Sequence, residues 1–288
     1  MIIIDYSGLG LNNIFSYFLN NSDASENNDD NLLRHIILNS FLNVSQKFGK
    51  KYGNITIAVD SKDKYWRKIY FPNYKIKRKP YENKVFDFVW CKNFMDGMIE
   101  DLKTYTHYHV IEESGAEADD VIAVLAKNTI EKEDVLIVSQ DSDFFQLQKY
   151  NATSEHKIEQ VKYDLTTFLK VPDAEEYILD KVIRGDSGDS IPNILSDDDV
   201  FKDKRRQVVM SKKRYQAILD ADKTILTEEV KKNWKRNNKL INFDAIPKQL
   251  QENIWNNYNL YQPQPKYKFI TYLQKYDLNM LLKEVNDF

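Results

Sequence analysis

The chain of 288 residues contains a single cysteine, Cys91, so an internal disulfide framework is excluded and a reducing compartment is the natural setting. Eight glycines and seven prolines exclude collagen-like and low-complexity classes. Four histidines offer no zinc-binding set. A net charge of -3 announces no nucleic-acid partner by itself, so the distribution of charge has to be examined instead. No apolar run approaches the roughly 18 residues of a membrane span, and no basic stretch precedes an apolar one at the start. The expectation is a soluble, intracellular (cytoplasmic) protein of class α/β or α+β. At 42% hydrophobic and 13% aromatic residues the chain can bury a core as one large domain or two smaller ones.

What the chain has is an uneven distribution of acids. Between Ser114 and Phe144 five carboxylates, Glu117, Asp119, Asp120, Asp141 and Asp143, stand at the edges of two apolar elements, where unpaired negative charge is costly. Ala118, Val121, Ile122 and Leu125 recur at helical spacing, which predicts a helix with Glu117 and Asp120 sharing a face near its start. Val135 to Ser139 is a β-branched apolar run typical of a buried parallel strand, and its end delivers Asp141 and Asp143. Each half has an ordinary explanation, since Ser114 with Glu117 fits a capping box and a DxD after a strand fits a polar turn. Together they ask for positive charge.

The pattern recurs twice. Met1 to Ile4 predicts a strand that ends on Asp5 and feeds a turn marked by Ser7, Gly8 and Gly10, and Ile55 to Val59 predicts a strand ending on Asp60. Helices are expected over Leu32 to Lys51, Phe86 to Tyr105 and Asp173 to Arg184, and a short strand around Tyr108 to Ile111. Asn20 to Asn31 reads as an exposed, mobile loop and Lys149 to Lys162 as a hairpin or loop. In an open, mostly parallel sheet the ligand lies beyond the carboxyl ends of the strands, so Asp5, Asp60 and Asp141 are expected to meet at one edge. So many acids cannot all ionise without cations, and oxygen ligands select magnesium or manganese over zinc. His107 and His109 read as packing or surface residues.

Lys62 to Lys84 holds nine Lys/Arg against two acids, interleaved with Tyr65, Trp66, Tyr70, Phe71, Tyr74 and Tyr81. Dense cations neutralise phosphates and aromatics offer faces for unstacked bases, so this stretch favours strand binding over a merely solvated face. Gly185 and Gly188 break the helix before them in RGDSGDSIPN, where Asp186 and Asp189 sit three apart. Lys202 to Arg214 is a second basic run, seven Lys/Arg against Asp203 alone, for which a solvated surface is nearly as good a reading as DNA contact. The last fifty residues show helical spacing, as in Ile254, Trp255 and Tyr258 or Leu278, Leu281, Leu282 and Val285.

In this order the motifs resemble the 5′ nuclease or flap endonuclease family. The residues are Asp5 after the first strand, AVD ending at Asp60, GAEADD from Gly115 to Asp120, SQDSDFFQL from Ser139 to Leu147, GDSGDSIPN from Gly185 to Asn193, and PNYKIKR from Pro72 to Arg78 as a basic arch. RHIILNS from Arg34, YWRK from Tyr65, LINFDAIP from Leu240 and the terminal NDF are similar to the ribonuclease H group of T-even phages, so the likeness runs over nearly the whole length.

The resemblance implies a central, mostly parallel β-sheet flanked by helices, a PIN-like 5′ nuclease core over residues 1–184 with its arch at about 62–90, and a smaller helical domain over residues 185–288. It implies a two-metal site of magnesium ions, with manganese able to substitute. Asp5, Asp60, Glu117, Asp119, Asp120 and Asp141 match its first metal cluster, and Asp141, Asp143, Asp186 and Asp189 the second. Asp120 and Asp141 count with Lys75 and Arg78 as catalytic, the two cations touching the scissile phosphate. Tyr74 would stack on the displaced base, and Arg67, Lys68, Lys75, Lys77, Arg78, Lys204, Arg205 and Arg206 would contact nucleic acid. Ser190 and Asn193 replace the family's usual Asn and Gly, so the helix-hairpin-helix-like region that binds duplex is expected to be altered, which leaves the family's potassium site open here.

The implied activity is that of a 5′ to 3′ exonuclease and flap endonuclease, removing RNA primers and adjacent DNA in lagging-strand replication. Its substrates would be DNA and RNA/DNA duplexes, 5′ flaps or forks, and its expected partners a single-stranded-DNA-binding protein and a polymerase clamp, with the enzyme a monomer. Two other readings stand beside it: a PIN-like ribonuclease, and a catalytically silent branched-DNA-binding protein. The first usually lacks the basic arch and the second acid pair; the second would be expected to have lost acids that are all present here.

Overall fold

The computed structural model describes residues 1–20, 29–78 and 87–288. The mobile loop expected at Asn20 to Asn31 lies for the most part outside the described residues, as does the end of the basic stretch from residue 79 to 86.

The chain begins with strand Ile2–Asp5 (β1) and passes directly into helix Tyr6–Asn20 (α1), then runs through Asp30–Tyr52 (α2) to strand Ile55–Val59 (β2). Helices Trp66–Tyr70 (α3) and Phe88–Tyr105 (α4) precede strand His109–Glu112 (β3), helix Ala118–Thr129 (α5) and strand Val135–Val138 (β4). After a 3-10 segment, Ser142–Ala152, come strands Ile158–Val161 (β5) and Phe168–Leu169 (β6). The rest is helical: Ala174–Arg184 (α6), Lys212–Leu219 (α7), Glu228–Ile241 (α8), Lys248–Leu260 (α9), Lys266–Lys275 (α10) and Asn279–Lys283 (α11).

The strands form one sheet in the order β3-β2-β1-β4-β5-β6, parallel except for β6. The chain leaves β1 toward one side and later crosses to the other, so the crevice beyond the strand ends opens where β1 adjoins β4. Period-two alternation fills both faces of the sheet. Ile2, Ile4, Ile57 and Val138 pack with α1, α2, α4 and the aromatic side chains Phe269 and Tyr272 of α10, while Ile3, Ala58, Ile111 and Ile137 pack with α5 and with Leu250 and Ile254 of α9. A separate small cluster, Ile183, Ile194, Ile218 and Val230, holds α6, α7 and α8 together. Among the described residues no helix is long and apolar enough to cross a membrane.

Two local expectations need correction. The glycines after β1 do not make a turn but lie inside α1, because its surface is approached closely: a Cβ on Gly8 would stand 1.8 Å from the Tyr163 hydroxyl, and one on Gly10 2.6 Å from Met95 Cε. The stretch from Lys149 to Lys162, expected as a hairpin or loop, is a loop only over residues 153–157. It closes the 3-10 segment and then supplies β5, which pairs parallel with β4 and buries Ile158 and Val161. With only two apolar residues in IEQV, tertiary pairing rather than local pattern makes it a strand.

Candidate metal centre and nucleic-acid interface

Asp5, Asp60 and Asp141 all stand at the carboxyl edge. Ile4 pairs with both Ile57 and Val138, so Asp5 ends its strand level with Ala58, and Asp60 and Asp141 follow just beyond their own strands. Each is oriented by donors. Asp5 accepts from Gly8 N–H (3.2 Å), Ser139 Oγ (3.0 Å) and Tyr163 Oη (3.3 Å). Asp60 accepts from Ser7 Oγ (3.1 Å) and from the Ala118 N–H at the start of α5 (3.0 Å), which ties the second strand to the acid-bearing helix. Asp141 accepts from the Asp143 N–H at 2.8 Å, a strand-end turn of the ordinary kind.

At the start of α5 the acids divide. Glu117 and Asp120 form a capping box, and both are buried. Asp120, 0% exposed, accepts from Trp66 Nε1 (3.0 Å) and the Glu117 N–H (3.0 Å) and pairs with Arg67 Nη2 at 2.8 Å. Arg67, read from the sequence as a nucleic-acid contact, is only 3% exposed; it also reaches Glu117 (2.8 Å) and the Leu240 carbonyl (2.8 Å). Tyr74 is likewise no free stacking platform: it is buried beside Phe71, Ile191, Leu240 and Ile241, and its hydroxyl bonds Glu117 and Asp189. Trp66, Arg67 and Tyr74 therefore form the root of the arch, and Asp120 lies beneath the crevice rather than in it. The alternation of aromatic and basic residues gave no sign of which side faces inward.

Lys75 comes nearest the acids among the arch cations. It sits in the left-handed backbone region (φ 55°), held there by its N–H to the Asp189 carbonyl at 2.7 Å, and its ammonium contacts Glu117 with Asp189 3.8 Å away. A non-glycine residue is seldom found there without surrounding structure to hold it. Arg78 pairs with Asp189 at 2.8 Å, and Lys68 and Lys77 are exposed, Lys77 lying 4.0 Å over the Phe201 ring.

The second group of acids follows α6. Gly185 (φ 69°) has no space for a side chain, a Cβ there falling 2.4 Å from the Ile191 carbonyl oxygen, and its turn lets Asp186 Oδ1 accept from Gly188 and Asp189 N–H. Between Asp143 and Asp186 stands Lys181, in contact with the first and 3.0 Å from the second. The sequence reading gave Lys181 no role, because on α6 it looks like one more helical lysine. Beyond this, Ser190 holds a left-handed conformation (φ 60°) and accepts from Lys77 N–H at 3.1 Å. Asn193 bonds Gln207, Val208, Leu195 and Ser196, a lock of side-chain bonds in the region expected to be altered. In the later basic run Lys204 and Arg206 are exposed, while Arg205 is tied to Asp197 (2.7 Å) and Asp203 (3.2 Å).

Among the described residues no three acidic, histidine or cysteine side chains already stand as a metal cage. Like charges held close repel, and here they are relieved from the side by Lys75, Arg78 and Lys181. The relief is incomplete: desolvation first, then the charges of Asp60 and Asp141, push Asp5 up to about 6. Desolvation, then Asp141 and Glu117, hold Asp119 well above the usual carboxylate range, and Asp143 is pushed up to about 6 by desolvation and Asp141 in spite of Lys181. Glu117 runs the other way, since Arg67 and Lys75 outweigh its burial and keep it ionised. An oxygen-only donor set with unrelieved negative charge suits hard divalent cations, so the residues present fit them.

Residues 1–171 match the family described as 5′-3′ exonuclease, N-terminal resolvase-like domain, and residues 172–288 match T4 RNase H, C terminal. The chain is 32% identical to ribonuclease H of Enterobacteria phage T4, over 99% of this chain and 95% of that protein. It is 33% identical to flap endonuclease Xni of Shewanella frigidimarina over 48% of this chain and 52% of the relative. In fold it is similar to the T5 protein co-crystallised with metal ions (TM-score 0.59, 17% identity, 90% of this chain and 98% of the other). A second similar structure is T5 5′-exonuclease with bound zinc (TM-score 0.55, 18% identity, 90% of this chain and 98% of the other). Acids gathered at the ends of parallel strands and two matches that together span residues 1–288 make this chain a member of the 5′-3′ exonuclease family, with a C-terminal region of the phage T4 ribonuclease H type.

Proposed function

We propose that the chain is a magnesium-dependent 5′ to 3′ exonuclease and flap endonuclease that removes RNA primers and adjacent DNA from duplexes during lagging-strand synthesis. The observation that carries this is the gathering of acids beyond the strand ends, with Asp5 within electrostatic reach of Asp60, Asp141 and Asp119, Asp119 within that of Asp141 and Lys75, and Asp60 tied to the start of α5. Asp5, Asp60, Asp119 and Asp141 would hold a first cation and Asp143, Asp186 and Asp189 a second, with Glu117 shared between cluster and arch. When bound, such ions supply Lewis acidity at a phosphate and make a water acidic enough to attack at neutral pH.

The chain's own residues do the rest. Lys75 and Arg78 can exchange their carboxylate partners for the scissile phosphate, which places positive charge where negative charge develops. Lys181 frees Asp143 and Asp186 as it gives up its place. Exposed Lys68, Lys77, Lys204 and Arg206 neutralise duplex phosphates outside the crevice. As partners we propose a single-stranded-DNA-binding protein and a polymerase clamp, on the likeness to phage ribonuclease H alone.

The test is cleavage of 5′-labelled nicked, flapped and RNA-primed duplexes. Short 5′ products with magnesium and none with EDTA support the reading; binding without cleavage refutes it in favour of a silent branched-DNA binder. Added single-stranded-DNA-binding protein or clamp should change the number of nucleotides released per encounter.

A further inference from the structure

We propose that Tyr163 is a positioning residue that fixes the Asp5 carboxylate for cation binding, an inference that rests on the reading of Asp5 as a metal ligand. Tyr163 lies two residues beyond β5, on the stretch whose partnership with β4 no local pattern announces. Its hydroxyl donates to Asp5 Oδ2 at 3.3 Å, the oxygen that also accepts from Ser139 Oγ at 3.0 Å. The Ser139 hydroxyl accepts from the Asp141 N–H at 3.1 Å, which orients it to give its one proton to Asp5. Gly8 N–H completes the set on Oδ1 at 3.2 Å.

A carboxylate offers about four lone-pair positions. Two on Oδ2 and one on Oδ1 are occupied, so the protein's own donors leave one, on Oδ1, for a cation. Three donors from three different elements also remove the torsional freedom that an aspartate at a strand end would otherwise keep. Gly8 provides independent support for the importance of this contact. Glycine weakens a helix interior by about 1 kcal/mol, yet α1 carries one at the point where a Cβ would fall 1.8 Å from Tyr163 Oη and 2.8 Å from Asp5 Oδ2. The helix gives up stability where the hydroxyl needs room.

Tyr163 also packs against the main core, and Tyr163→Phe keeps that packing while deleting the hydroxyl. Manganese titrated calorimetrically into substrate-free protein should bind the variant about tenfold to a hundredfold more weakly at the tighter site, the usual loss when an outer-shell partner of a metal ligand is removed. The melting temperature of the metal-free protein should not move, and turnover should recover at saturating metal. Gly8→Ala, which drives the hydroxyl away from Asp5, should reproduce the loss; if Tyr163→Phe fails to fold, Ser139→Ala tests the lock on the same oxygen. Wild-type manganese affinity in these variants overturns the proposal. Asp5→Asn separates the two levels: if it binds manganese normally, the metal reading of Asp5 itself fails, whereas loss in Asp5→Asn with normal binding by Tyr163→Phe sinks only the positioning role.

Discussion

Arg67 and Asp120 form a buried ion pair, Nη2 to Oδ1 2.8 Å apart, with Arg67 3% and Asp120 0% exposed. Breaking such a pair from one side leaves a buried charge without compensation, which costs about 3–5 kcal/mol. Arg67→Met should therefore destabilise the protein by roughly that much in urea denaturation. The loss should appear with and without DNA, since the guanidinium joins the arch to α5 and to the Leu240 carbonyl rather than to substrate. A stable variant with weakened DNA affinity would restore Arg67 as a nucleic-acid contact.

Lys75 differs from Arg67 in what it leaves behind. Glu117 keeps Arg67 at 2.8 Å and the Tyr74 hydroxyl at 3.0 Å when the ammonium is gone, so its charge remains paired. Lys75→Ala is expected to fold normally and to cleave about a hundredfold more slowly in single-turnover assays, the scale for losing one preorganised charge at a transition state. Duplex affinity should change by no more than a few-fold.

The strand-end geometry was legible from the sequence because it depends on patterns a single chain carries: MIIID and ITIAVD show apolar runs closed by acids, and parallel-sheet topology does the rest. The division among those acids was not legible. Asp119 and Asp120 are neighbours, yet Asp120 turns beneath α5 to meet Trp66 and Arg67, while Asp119 feels Asp141 and Asp5. One residue is 100° of helix rotation, and only the tertiary partners decide which carboxylate is neutralised from below. Lys181 and Tyr163 escaped for the same reason, since each acts through a contact with an element distant in sequence.

Asp119 provides a test of the metal centre without substrate. Its pKa is shifted upward in the fold by desolvation and by Asp141 and Glu117. The folded form therefore holds the proton more tightly than the unfolded chain, and stability is lost as pH rises from the ordinary carboxylate value through the raised one. At neutral pH the metal-free protein carries that cost, and Asp119→Asn removes it. The variant should melt higher without metal, by roughly 2–4 °C for each 1 kcal/mol relieved. Magnesium should raise the melting temperature of the wild type, as any ligand of the folded state does, and should raise that of the variant much less.

His109 sets the opposite dependence at the edge strand of the sheet. Its ring lies on β3, stacked 4.0 Å from Tyr261 and 5.2 Å from Tyr258, whose helix α9 covers that strand. Burial in this stack lowers its pKa from 6.5 to about 4, against a hydrogen bond from the ring to Asn257 that acts to raise it. Between those two values the unfolded chain binds a proton that the folded protein refuses, so stability falls as pH drops through the window and is complete above it. Asp5 and Asp143, pushed up to about 6, work in the other direction over overlapping pH, and only a comparison isolates the histidine. His109→Phe keeps an aromatic ring in the stack and removes the titration. The wild type should lose about 2 kcal/mol more than the variant between pH 7 and pH 5, measured by urea denaturation at each pH; equal losses would show that the stack leaves the imidazole free to take its proton.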